Sequence, residues 1–186
     1  MKRFLLLTAV ITLSAMAVFS QAKPTDFSGT WTLDLTKSKV DVRARIDALT
    51  MNVAQTDKEL KVSTETKRTP PAADATAGAP GTGAGRGMGR GFGGGDGTTT
   101  YSLDGKETIV EIDGPNGKMP VKYKAVAEGA KLTLSQVRTF TGSMGEVTMT
   151  TKEAWSLSPD AKTLTVEREN TTPRGTSTST LVFIKK

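Results

Sequence analysis

Outside residues 70–97 the chain alternates apolar and polar positions with a period of two, and turn residues interrupt the pattern every eight to twelve positions. Thr, Val, Leu and Ile dominate these runs, as expected for half-buried strands. The pattern predicts ten strands. The first five are Thr30–Leu35, Leu49–Gln55, Glu59–Thr66, Thr98–Leu103 and Glu107–Asp113. The second five are Val121–Ala127, Lys131–Thr139, Glu146–Leu157, Lys162–Glu169 and Ser177–Lys185. The apolar phase places Trp31, Leu49, Met51, Val53, Leu60, Val62, Tyr101, Leu103, Val110, Ile112, Val121, Tyr123, Ala125, Leu132, Leu134, Val147, Met149, Trp155, Leu157, Leu164 and Val166 on one shared face. The stretch from Lys37 to Ile46 is weakly periodic and leaves room for a helical turn or a lid.

The joints carry their own chemistry. Asp104-Gly105 and Glu128-Gly129 read as two-residue hairpin turns, where glycine takes the positive φ that other residues resist. Gly114-Pro115-Asn116-Gly117 reads as a longer turn. Ser158-Pro159-Asp160-Ala161 and Thr172-Pro173-Arg174-Gly175 each place proline second in a turn. Loops this short imply antiparallel pairing of sequence neighbours, hence an up-and-down meander. An open sheet of ten strands would expose two edges and an apolar face, so the meander is expected to close into a barrel of about eight to ten strands. Its outward positions are Lys, Glu, Thr and Ser, as at Glu59, Lys61, Lys122, Lys124, Lys131 and Thr148. A lipid-facing barrel would need the reverse pattern and aromatic girdles, so the expected barrel is soluble.

Residues 70–97 break the pattern. They hold eleven of the nineteen glycines and three of the eight prolines. Such a segment cannot bury enough apolar surface to offset its ordering entropy, and a disordered insert between the third and fourth strands is expected. Its Arg-Gly run around Phe92 invites comparison with segments that bind single-stranded nucleic acid. However, Arg86 and Arg90 are balanced by Asp74 and Asp96, which leaves no electrostatic footprint, so no nucleic-acid partner is expected. Gly89-Arg90-Gly91-Phe92-Gly93-Gly94 satisfies a dinucleotide-binding spacing by chance, because neither the strand before it nor the helix after it is present.

The first residues read as an export signal. Met1-Lys2-Arg3 is followed by an apolar run from Phe4 to Phe19, and Ser20-Gln21-Ala22 supplies a cleavage site. A run of sixteen residues falls short of the roughly 20 that cross a bilayer, so residues 1–22 are expected to be removed and no transmembrane span to remain. Residues 23–186 then form one domain in the bacterial periplasm or outside the cell, expected to be a monomer. Removing Lys2 and Arg3 lowers the net charge from +6 to +4. The chain has no cysteine and so no disulfide.

Histidine is absent as well. Together these absences remove the commonest general base, the best zinc ligands and the usual nucleophile systems. Carboxylate pairs such as Glu107 with Glu111, or Glu146 with Glu153, read as solvated outward residues. No catalytic residue, metal site or cofactor is expected, and the protein is not expected to be an enzyme.

With the first strand in view, the chain resembles the lipocalin-like and wider calycin β-barrels. Gly29-Thr30-Trp31 matches the G-x-W of the lipocalin first strand. The run Phe27 to Trp31, followed by Lys37-Ser38-Lys39, is similar to the start of small exported bacterial members. The late run Trp155-Ser156-Leu157-Ser158-Pro159-Asp160-Ala161-Lys162-Thr163-Leu164-Thr165 is similar to their later pattern. The resemblance implies a barrel in which Gly29 and Trp31 form a plug at the closed end, with Arg168 packed on Trp31 and Trp155 as a further structural residue. It also implies an open end that takes a small hydrophobic ligand. Met51, Tyr101, Tyr123 and Met149 are the inward residues suited to line such a site, since methionine adapts its shape and tyrosine offers a polar handle. The alternative is a cell-envelope interaction module whose core is filled by its own side chains.

Overall fold

The structure, a computed structural model, describes residues 25–40, 45–69, 96–114, 117–142 and 145–186. The expected signal peptide, most of the Gly-rich insert, and the centre of the Gly114–Gly117 turn lie outside the described residues. Ten strands follow one another: β1 (Gly29–Leu33), β2 (Ile46–Gln55), β3 (Glu59–Arg68), β4 (Gly97–Ser102) and β5 (Thr108–Gly114). The chain then continues through β6 (Gly117–Glu128), β7 (Lys131–Gly142), β8 (Gly145–Leu157), β9 (Thr163–Thr172) and β10 (Gly175–Lys185). Every expected strand is present, most of them longer than periodicity alone implies.

The strands form one antiparallel sheet in the order β4-β3-β2-β1-β10-β9-β8-β7-β6-β5, curled into a nearly closed barrel. Eight of the nine hydrogen-bonded pairs join sequence neighbours, and only β1 with β10 brings distant segments together. One expected pairing gives way. Asp104-Gly105 does not close a hairpin, because β4 and β5 are the two ends of the sheet and do not pair with each other. Asp104 instead caps its own loop, accepting bonds from the Lys106 amide and the Ser102 hydroxyl. The barrel therefore retains a seam where full closure had been expected.

Among the described turns, the others form as their residues dictate. Gly129 (φ 60°) and Ala130 connect β6 to β7, with Glu128 opposite Lys131. The Ala161 amide bonds back to the Ser158 carbonyl at 2.8 Å, closing the turn that Pro159 starts. Of residues 37–46, the described part holds no helix. Asp34 accepts bonds from the Thr36 hydroxyl and amide, and Lys39 bridges to Thr180 beside β10.

A meander places its connections alternately at two ends. The links at 56–58, 103–107, 129–130 and 158–162 share one end. At the other end β1, β3, β5, β7 and β9 finish and β2, β4, β6, β8 and β10 begin. The first end is sealed by the segment that precedes β1. The Gln55 side chain accepts from the Phe27 amide at 3.0 Å and donates to the Thr25 carbonyl at 2.9 Å, and the Thr25 hydroxyl reaches the Gly129 carbonyl. Phe27 then points inward, edge-on to Trp155 with ring centroids 5.8 Å apart. Trp31, Trp155, Phe27, Phe183, Met51, Leu60, Leu132, Leu134 and Leu164 are all fully buried around this seal. Burying one such indole removes roughly 150–250 Å² from water, worth at most about 4–6 kcal/mol.

The start of β1 shows why the sequence reads Gly-x-Trp. The Trp31 indole nitrogen donates to the Phe27 carbonyl at 3.0 Å. Lys185, opposite Trp31 on β10, carries its ammonium 5.2 Å from the Trp31 ring centroid. To reach it, the lysine stem crosses Gly29, where an added Cβ would lie 2.7 Å from Lys185 Cε. Gly29 also adopts φ 142°, which side chains disfavour. The cation over Trp31 is thus Lys185, and the expected role of Arg168 there gives way. Arg168 lies on β9, engaged with Glu153 on β8.

Candidate functional site

The inward face changes character from one end of the barrel to the other. Beside the seal, facing positions are Leu132, Trp155, Val166 and Leu181 on β7 to β10. One step on, Leu134 faces Glu153, which faces Arg168 and then Ser179. The next row runs Tyr123, Gln136, Thr151, Asn170 and Ser177. Beyond it Arg138 stands opposite Met149, and Phe140 opposite Val147. Arg138, Met149, Phe140, Val147, Thr151 and Asn170 are all half-buried although they face inward. Solvent therefore reaches inward side chains of β7 to β9 toward this open end, whereas Leu132, Trp155 and Val166 nearer the seal are buried.

At the boundary stands an ion pair. Glu153, 3% exposed, accepts from Arg168 Nε at 2.7 Å and from the Trp155 indole at 2.9 Å. Both carboxylate oxygens are thus occupied, which is what makes a buried charge tolerable. Burial raises the Glu153 pKa above the ordinary carboxylate value, with Arg168 and the Trp155 bond opposing. The expectation that Glu153 is an outward, solvated residue is overturned. It shares the phase of Trp155, two residues on, and so must face inward.

The second polar group sits across β6 and β7. The Gln136 side-chain oxygen accepts from Arg138 Nη2 at 2.6 Å and Nε at 2.8 Å. The same end of the amide lies 3.4 Å from the Tyr123 hydroxyl. Tyr123 and Tyr101 meet edge-to-face, with centroids 5.5 Å apart and planes at 83°. Burial pushes both phenols above their usual range, so they stay protonated donors at any physiological pH. Partial burial pulls the Arg138 guanidinium below its ordinary value, with the Tyr123 phenol opposing. It remains charged all the same.

Of the four residues expected to line a ligand site, Tyr101, Tyr123 and Met149 border this region. Tyr101 and Tyr123 touch, and Met149 faces Arg138. Met51 does not join them. It lies opposite Trp31 in the sealed half, with no exposed surface. The polar members Gln136, Arg138 and Glu153 escape sequence reasoning that follows only apolar residues. Their signal was phase: Gln136 and Arg138 continue the series Leu132, Leu134 two residues at a time. Among the described residues no cluster of His, Cys, Asp or Glu is arranged to hold a metal ion. No described helix is long and apolar enough to cross a membrane.

Fold and site together define an antiparallel ten-stranded β-barrel with a dry, sealed floor and a wet, polar mouth. No family model matches the sequence, and no curated protein matches it. A solved structure to which the chain is similar is that of zebrafish ileal bile acid-binding protein complexed with cholic acid. The two share 14% identity over 86% of this chain and 98% of that one, with a TM-score of 0.47.

Proposed function

We propose that the protein is an exported, non-catalytic barrel of the periplasm or extracellular space that holds one small amphipathic molecule in its open mouth. One observation carries this reading: on β7 to β9 the inward Arg138, Phe140, Val147, Met149, Thr151 and Asn170 are half-buried, whereas Leu132, Trp155 and Val166 nearer the seal are fully buried. The mouth mixes apolar surface, from Met149, Phe140 and Val147, with hydrogen-bonding groups at Gln136, Tyr123 and Arg138. Such a mixture suits a ligand with an apolar body and a polar head, since a few placed polar groups fix orientation while apolar contact supplies affinity.

Native mass spectrometry of the protein purified from its own cell envelope tests the reading. The expected result is a retained small molecule, lost on mild delipidation and replaceable by the amphipathic dye 1-anilinonaphthalene-8-sulfonate. A bare chain mass, together with no dye uptake by the folded barrel, would sink it.

That outcome would favour a second reading, an interaction module of the cell envelope with a self-filled core. The sealed half supports it, because its volume is occupied by the protein's own side chains.

A further inference from the structure

The two ends of the sheet face each other across a cleft. Among the described residues β4 pairs only with β3, and β5 only with β6, so each keeps one row of main-chain N–H and C=O groups without a strand partner. The cleft between them holds about 690 Å³. Thr98, Thr99 and Ser102 form one wall, Val110 and Ile112 the other, and Tyr123 borders both. β5 also exposes large apolar side chains on opposite faces, Ile109 at 60% and Val110 at 42%. A single covering surface would protect one of them, whereas a neighbouring strand lies beside both.

The charge of the cleft differs from that of the protein. Its lining includes the acids Glu59 and Asp96 and no lysine or arginine, in a chain whose net charge is +6. Glu59 sits opposite Ser102 at one end of β4, and Asp96 immediately precedes Gly97 at the other. The two acids are thus about six strand residues, roughly 20 Å, apart.

We infer that the seam is a docking slot for an extended peptide strand about six residues long, with a basic side chain at each end. Only a polypeptide backbone repeats donor and acceptor at the spacing of a strand edge, which is how added strands are recognised. β4 and β5 run in opposite directions, so the guest lies antiparallel to one and parallel to the other. The antiparallel ladder forms on β5, where the exposed Ile109 and Val110 gain cover. This slot borders the proposed mouth at Tyr123 but does not depend on what the mouth holds.

The test uses a fluorescein-labelled peptide, Lys-Thr-Val-Thr-Val-Lys, and amide hydrogen exchange on the full-length exported protein. Saturable binding is expected, with slowed exchange at amides of Thr108–Ile112. The surface substitution Glu59→Lys is expected to weaken binding two- to fivefold while leaving the fold intact, as for an exposed ion pair. The interrupted peptide Lys-Thr-Pro-Thr-Pro-Lys is expected to fail, because proline cannot donate to the ladder. Equal binding of the two peptides would overturn the inference, as would unchanged exchange on β5 at saturation. Protection of β5 by 1-anilinonaphthalene-8-sulfonate but not by peptide would also overturn it, making the cleft a small-molecule site instead.

Discussion

The two ends of this barrel are built from the same ten strands and solve opposite problems. At the sealed end, Trp31 is held by the Phe27 carbonyl and covered by Lys185, while Trp155 is held by Glu153. These three groups position the indoles, and both indoles are themselves fully shielded from water. At the open end the polar atoms bond to one another, Gln136 to Arg138 beside Tyr123, around space that solvent reaches. Alternation along a strand decides only which face a residue joins. Depth along the barrel decides whether an inward polar group acts as a strut or as part of a surface.

The comparison breaks most readily at the floor. Trp31→Ala should cost about 3–5 kcal/mol, lowering the melting midpoint by roughly 10 °C or more in a thermal scan, because nothing nearby can collapse into the void. Glu153→Ala should cost about 3 kcal/mol in denaturant unfolding, since it strands Arg168, 12% exposed, without its carboxylate.

Acidity sharpens that second result. The pKa of Glu153 is raised in the folded state, chiefly by burial, so the folded barrel holds the proton more tightly than the unfolded chain. Its favourable contribution is complete below the unfolded value and is lost as pH rises through the raised folded value. Relative to Glu153→Gln, the native protein should therefore gain stability on acidification toward the unfolded carboxylate value of about 4.5. A pH-independent difference between the two would show the carboxyl to be unperturbed.

Gly29→Ala should cost about 1–2 kcal/mol, through its positive φ and the crowded Lys185 stem. Adding Lys185→Ala should return the steric share, so the double variant should be less unstable than the sum of the two singles, as a double-mutant cycle would show. The smallest stability effect, under about 1 kcal/mol, is expected for Arg138→Ala at the half-exposed mouth. Its mark should instead appear as at least a tenfold loss of small-molecule retention. A floor-sized loss of stability at Arg138, with retention unchanged, would erase the distinction between the two ends.

Much of the architecture was legible because hydrophobic period and turn chemistry agree. Val121, Tyr123 and Ala125, or Leu132 and Leu134, could face only one way, and the turns at Gly129, Ser158 and Pro173 fixed their partners. The seam was not legible. Asp104-Gly105 carries good hairpin chemistry, yet side-chain capping by Asp104 satisfies the loop without a ladder, and local sequence does not distinguish the two outcomes. The cation on Trp31 also escaped, because register across β1 and β10 is a long-range property; Lys185 lies opposite Trp31 only once the barrel closes. The polar half of the site was hidden because charged residues on strands usually face water, and Glu153 faces Trp155's side of the sheet instead. Met51 misled in the other direction: its type suits a ligand, and its depth makes it floor.

The pairing order has a consequence for how the chain could be rewired. The Lys186 amide bonds to the Thr30 carbonyl at 2.9 Å, so the end of β10 lies beside the start of β1. Linking Lys186 to the segment before Phe27 and reopening the chain at Asp104–Gly105 would yield a circular permutant running β5 to β10 and then β1 to β4. In that order every hydrogen-bonded pair joins consecutive strands, and the single distant pairing disappears. Contact order falls while the native contacts stay the same, so the permutant should refold faster than the natural chain, with the slow search for the β1–β10 pairing turned into one more hairpin.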